Sequence, residues 1–232
     1  MKNLKTLVIF IGASFMLLVG ILLCVNEQEI IKLNSRLERL ERYTYNKESI
    51  VFLGDSITSR CDLDKYFPNY NVYNSGIAGN MTKDILDNME NRVFVYNPTK
   101  VFILIGTNDL VYSGLDNDGI KNNIEEIINK IYEKNSNTKI YLESIYPVNN
   151  SLNKIEKLNK EIVETRTNDN IKDLNNKIEK ICNNNKCTYI NMYDNLTDKN
   201  GNMKRIYTVD GLHLNKIGYK VVASKLTKYL NE

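Results

Sequence analysis

Between Leu7 and Val25 no charged residue interrupts an apolar run. About 19 residues at a helical rise of roughly 1.5 Å span about 28 Å, close to the thickness of a bilayer's hydrocarbon layer. Lys2 and Lys5 precede the run, and Glu27 and Glu29 follow it. That charge order favours a cytoplasmic N-terminus with the remainder outside. The pattern predicts a single-pass cell-membrane anchor over residues 1–26. The alternative is a cleaved signal and a secreted product, for which Val25, Asn26 and Glu27 offer no small-residue cleavage site. A lipoprotein reading of Cys24 meets Leu23 where a small residue is expected. Beyond the run, Ile30, Leu33, Leu37 and Leu40 recur at spacings of three and four among polar residues, predicting a helical stalk over residues 27–45. Such a stripe could pair weakly with a second copy, pack on the rest of the chain, or continue the membrane helix.

From about Tyr45 the pattern changes to short apolar runs alternating with longer helical stretches, without an internal repeat. Strands are predicted at Ile50–Leu53, Asn71–Tyr73, Lys100–Ile105, Lys139–Ile145 and Thr188–Asn191. Helices are predicted over Lys83–Tyr96, Asn117–Lys134, Leu152–Cys182 with a break near Thr167–Asn170, and Lys216–Leu230 with Asn215 as N-cap. Parallel strands need crossovers, and the favoured crossover is a helix. Residues 46–232 therefore read as an α/β domain, a three-layer α/β/α sandwich on a five-stranded parallel sheet. Ligands in such sheets bind beyond the carboxyl ends of the strands, so the residues just after each apolar run are the functional candidates.

Charge and cysteine content narrow the chemistry. Across 232 residues, 31 Lys+Arg against 28 Asp+Glu leave +3, with no basic stripe, which argues against a nucleic-acid partner. Cys182 and Cys187 are the only close pair of cysteines, and both a disulfide and two thiols are compatible with the spacing. No histidine or further cysteine stands at zinc-like spacing, so no metal site is expected. Asp116, Asp118, Gly119 and Glu125 fall at EF-hand-like offsets, but Gly114 occupies the first ligand position. A helix start capped by Asp118 is the expectation there. Cys61 reads as a buried small apolar residue.

Four segments could carry chemistry. Gly54-Asp55-Ser56 follows the first strand, so that a serine opens a helix at the sheet edge; by itself such a step is more often an ordinary helix cap. Asn74-Ser75-Gly76-Ile77-Ala78-Gly79-Asn80 ends the second strand, and its glycines either expose backbone N–H groups to a ligand or simply make a turn. Gly106-Thr107-Asn108-Asp109 ends the third strand and sets an amide at the same edge. Asp210-Gly211-Leu212-His213 precedes the last helix and holds the one histidine of the chain, so any imidazole base must be His213. Tyr146-Pro147-Val148 follows the fourth strand and is expected to shape a pocket wall, beside a segment from Asn149 to Asn168 that either covers the site or lies on the surface.

In order and composition, these four blocks resemble those of the SGNH or GDSL hydrolases, over Gly54 to Asn215. The resemblance implies a flavodoxin-like fold and an esterase with Ser56 as nucleophile, His213 as general base and Asp210 as its orienting partner. It also implies an oxyanion hole from the Ser56 amide, Gly79 and Asn108, with Gly79 preferred over the nearby Gly76. No cofactor is implied. The substrates expected are small acyl or acetyl esters, with acylated cell-envelope glycans suggested by the anchor. An acyltransferase using the same triad and a catalytically silent, membrane-tethered binding domain are the alternatives.

Overall fold

The computed structural model describes residues 26–27, 29–34, 48–152, 165–183 and 187–232. The chain divides into two units, Met1–Lys47 and Glu48–Glu232. In the first, residues 29–34 are helical, with Ile30, Ile31 and Leu33 exposed. The anchor expected over Leu7–Val25 and most of the expected stalk lie outside the described residues. Among the described residues no helix is long and apolar enough to cross a membrane.

The second unit is built on five parallel strands: β1 (Ile50–Gly54), β2 (Val72–Gly76), β3 (Lys100–Leu104), β4 (Lys139–Glu143) and β5 (Thr188–Ile190). Helices α1 (Ser56–Ser59) and α2 (Leu63–Tyr66) follow β1, and α3 (Thr82–Leu86) and α4 (Met89–Arg92) follow β2. After β3 come α5 (Asp109–Tyr112) and α6 (Asn117–Lys134), after β4 comes α7 (Asn168–Cys182), and after β5 come α8 (Tyr193–Leu196) and α9 (Lys216–Leu230). The strand order is β2-β1-β3-β4-β5. This is the flavodoxin-like order, whose crevice opens where the chain leaves β1 and β3 in opposite directions. Ser56 and Asn108 lie just past the ends of those two strands.

Strict alternation along the strands builds two cores. Val51, Leu53, Val101, Ile103, Ile140 and Leu142 face one side, where α6 contributes Ile120, Ile124, Ile127, Ile128 and Ile131. That isoleucine spacing is one face of a helix, which is why the amphipathic pattern reads α6 as a helix. Phe52, Phe102 and Tyr141 face the other side in register and stack with centroids 4.8 and 4.6 Å apart, beneath Tyr219, Val222 and Leu226 of α9.

Three expectations need correction. The single helix expected over Lys83–Tyr96 is instead α3, α4 and a 3-10 turn at Phe94–Tyr96. Asn88 Nδ2 donates to Asp84 O at 2.9 Å, a local side-chain bond that competes with helix continuation. The cap of α6 is Asp116, not Asp118: Asp116 Oδ1 accepts the Gly119 N–H at 2.8 Å, and Asp118 pairs with Lys177 at 2.8 Å. β2 runs on to Gly76, because its polar end is paired with β1 through Gly54. Of the two readings of the close cysteines, the structure contains the disulfide, Cys182–Cys187, joining the end of α7 to the start of β5. The break expected near Thr167 is the cap of α7, where Thr167 Oγ1 accepts the Asn170 N–H at 3.1 Å. Residues 153–164 of the same expected helix lie outside the described residues.

Candidate active site

The turn that carries Ser56 is shaped by what cannot fit in it. A Cβ on Gly54 would lie 2.4 Å from Leu104 O and 2.2 Å from Thr58 Oγ1, so only glycine lets the chain fold back from β1 into α1. Asp55 then caps α1 by accepting the Ile57 N–H at 2.8 Å. Ser56 becomes the first residue of the helix, at the carboxyl edge of the sheet.

On the opposite wall, residues 208–214 form a tight loop closed by an antiparallel bridge between Thr208 and Leu214. Val209 N–H donates to His213 O at 2.9 Å, and Thr208 Oγ donates to the same oxygen at 2.8 Å. Gly211 has φ +95°, a conformation few other residues adopt. Asp210 Oδ1 accepts the amides of Leu212 at 3.0 Å and His213 at 2.8 Å. Its other oxygen, Oδ2, lies 2.7 Å from His213 Nδ1, and His213 Nε2 lies 3.0 Å from Ser56 Oγ. Burial pushes the Asp210 carboxyl up, but the hydrogen bonds from the His213 ring and the two amides outweigh it, and the group stays below the usual carboxylate range. An ionised carboxylate only accepts, so Nδ1 carries the ring proton and Nε2 presents its lone pair to the Ser56 hydroxyl.

The expected oxyanion residues lie on two adjoining loops. Gly79 has φ +82°, and a Cβ there would touch nothing within 4 Å, so backbone conformation rather than crowding calls for glycine. Asn108 Nδ2 donates to Asn80 O at 3.0 Å, which sets Asn108 against the residue after Gly79. Asp109 fastens the same loops from below, accepting the Thr82 N–H at 3.0 and 3.1 Å and the Thr82 hydroxyl at 2.5 Å. Gly76, the other glycine considered, serves packing instead. A Cβ there would come 2.2 Å from Ser59 N, so its absence permits β2 to lie against α1.

Sequence reasoning missed two buried arginines. Arg92 donates to Ser75 Oγ at 3.0 Å, to Gly54 O at 3.1 Å, to Ser75 O and to Asn80 Oδ1, clamping the ends of β1 and β2 to the Gly79 loop. Arg166 donates through Nε to Thr107 O at 3.0 Å and through Nη2 to Asn108 Oδ1 at 3.3 Å. Neither arginine belongs to a motif, and nothing local in the sequence marks them.

The expectation for Tyr146 is overturned. It is 3% exposed and donates to buried Glu143 at 2.6 Å, within a cavity of about 20 Å³ that Cys61, Thr58 and Tyr219 also line. Val148 is also buried, so this stretch packs inward rather than forming an open wall. Burial raises the Glu143 carboxyl to about 7 and that of Asp55, whose Oδ2 has no partner, to about 6. Cys61 is half-buried against the same core rather than fully enclosed. Among the described residues no cluster of three or more His, Cys, Asp or Glu could hold a metal ion.

Comparison with known proteins agrees with this architecture. The model of the GDSL-like Lipase/Acylhydrolase family matches residues 52–221, and the chain belongs to that family of ester-cleaving SGNH enzymes. A solved structure from Streptococcus pneumonia, provisionally described as a platelet activating factor, is 30% identical with a TM-score of 0.71, covering 90% of this chain and 98% of its own. An acetyl xylan esterase is 26% identical with a TM-score of 0.61, covering 78% and 99%. The N-acylneuraminate cytidylyltransferase of Escherichia coli is 29% identical over 180 residues, 77% of this chain. The chain spans 39% of that protein's length, and 55% of a second curated relative's from Acetivibrio thermocellus.

Proposed function

We propose that the protein hydrolyses small acyl esters through an acyl-enzyme on Ser56. The observation that carries this is the unbroken line from Ser56 Oγ to His213 Nε2 at 3.0 Å and from His213 Nδ1 to Asp210 Oδ2 at 2.7 Å. In the mechanism, His213 takes the Ser56 proton as Oγ attacks the ester carbonyl, then returns it to the departing alcohol. Asp210 holds the imidazole in the required tautomer and offsets its positive charge once protonated. The Ser56 and Gly79 amides and Asn108 Nδ2 stabilise the tetrahedral oxyanion, and water activated by His213 releases the acid.

Acetyl groups on cell-envelope glycans are the proposed substrates. The similarity to an acetyl xylan esterase supports the acyl group. An extracytoplasmic site is supported by the uncharged run at Leu7–Val25 and by the Cys182–Cys187 disulfide, a bond that persists in oxidising compartments. The test compares hydrolysis of aryl acetate and aryl octanoate by the wild type and Ser56→Ala. Preferential acetate cleavage, absent in the variant, is expected; equal cleavage by the variant would overturn the reading.

A further inference from the structure

Arg166 stands at the point where a donor-only side chain can decide which end of the Asn108 amide faces the reaction. It is 3% exposed. Its backbone is held on both sides: Asn150 Nδ2 donates to Arg166 O at 3.2 Å, Asn170 Nδ2 donates to Thr165 O at 2.9 Å, and Thr167 caps α7. The guanidinium forks across consecutive residues of the β3 loop, Nε to Thr107 O and Nη2 to Asn108 Oδ1. It also acts electrostatically on Asp55, the neighbour of Ser56, opposing the upward pull of burial on that carboxyl.

A guanidinium has five donors and no acceptor. The Asn108 atom facing it must therefore be the amide oxygen, and Nδ2 must face the other way. One Nδ2 hydrogen is used on Asn80 O at 3.0 Å. The other is the hydrogen that the proposed mechanism directs at the oxyanion. If the amide turned over, Oδ1 would meet both the Asn80 carbonyl and the developing negative charge, and a donor would become a repulsive neighbour.

We infer that Arg166 is a positioning residue for the proposed ester cleavage, locking Asn108 in the orientation that donates to the oxyanion. This rests on the oxyanion role of Asn108 proposed above. Because the oxyanion exists only along the reaction path, loss of the lock reduces kcat more than it alters KM.

The test is a double-mutant cycle on aryl acetate hydrolysis with wild type, Asn108→Ala, Arg166→Met and the double variant, each checked by thermal melting. Asn108→Ala is expected to lower kcat roughly a hundredfold. Arg166→Met is expected to lower kcat at least about tenfold with KM within about threefold, and the double variant to be no slower than Asn108→Ala within about twofold, since Arg166 acts through Asn108. A double variant slowed by the product of the two single effects, or Arg166→Met with wild-type kcat, overturns the inference. Unchanged kcat in Asn108→Ala instead removes the oxyanion reading on which it rests. Should Arg166→Met fail to fold, Arg166→Lys replaces it, because one ammonium cannot reproduce the fork over Thr107 O and Asn108 Oδ1. Its kcat loss is expected to vanish in the Asn108→Ala background, and persistence of that loss there overturns the inference.

Discussion

Asp210 grips His213 twice, accepting its backbone amide at 2.8 Å through one carboxylate oxygen and meeting its Nδ1 at 2.7 Å through the other. The first bond sets where the ring starts, and the second sets which nitrogen carries the proton. Asp210→Asn preserves the size of the side chain but supplies only one acceptor oxygen. Ester hydrolysis is expected to fall by roughly a thousandfold or more, with little change in melting temperature, since the wrong tautomer blocks Nε2 as a base. Measured kcat within tenfold of wild type would remove Asp210 from the relay.

Two glycines near the site are expected to fail in different ways when replaced by alanine. At Gly76 the new carbon would meet Ser59 N at 2.2 Å and Ser59 Cα at 2.7 Å, both backbone atoms that cannot rotate aside. At Gly79 nothing is met, and only the φ of +82° is unfavourable, at about 1–2 kcal/mol. Urea unfolding should show Gly76→Ala as the more destabilised of the two. Gly79→Ala should lose activity out of proportion to its stability. The reverse order would contradict the packing described for β2 against α1.

Buried Glu143 predicts a pH dependence of stability. Its folded-state value of about 7 lies above its ordinary 4.5, so the folded protein keeps a proton that the unfolded chain releases. Stability from that proton is complete below about pH 4.5 and is lost as the pH rises through about 7, on the order of 3 kcal/mol in all. Asp55, raised to about 6, acts with the same sign. Glu143→Gln carries no proton to lose, and Tyr146 can still donate to it. Its stability relative to wild type should therefore rise between pH 5 and pH 8, read by urea unfolding at each pH. A flat difference would show that the carboxyl ionises freely in the fold.

The Cys182–Cys187 bond closes a short loop away from the triad. Reduction is expected to cost about 2 kcal/mol of stability from the entropy of the unfolded chain. A lower melting temperature with unchanged kcat is the expected result, and loss of kcat in protein that remains folded would contradict it.

Which parts of this molecule were legible in its sequence follows from the range of the interactions involved. The extents of α6 and α9 could be read because their apolar periodicity is local, as is the Asn215 cap of α9. Three of the motif blocks could be read because each follows a strand whose direction the alternation of elements already implies, and the fourth because it holds the one histidine and precedes the last helix. The polar end of β2 could not: Asn74 is held by Thr58 O and Cys61 O at 2.9 Å, and Ser75 by Arg92 O at 2.7 Å. Arg92 and Arg166 were opaque for the same reason, since their partners lie up to 38 and 59 residues away in sequence. Tyr146 misled because position at the sheet edge says where a backbone ends, and not which way the following side chain turns.

Ser56 is proposed as a nucleophile activated by His213. Labelling of the protein with a fluorophosphonate, followed by mass mapping of the modified peptide, tests it most directly. A single adduct on Ser56 is expected, forming at least about a hundredfold more slowly in His213→Ala, in line with the usual contribution of a general base. Modification of a different residue, or labelling of Ser56 at an undiminished rate without His213, would contradict it.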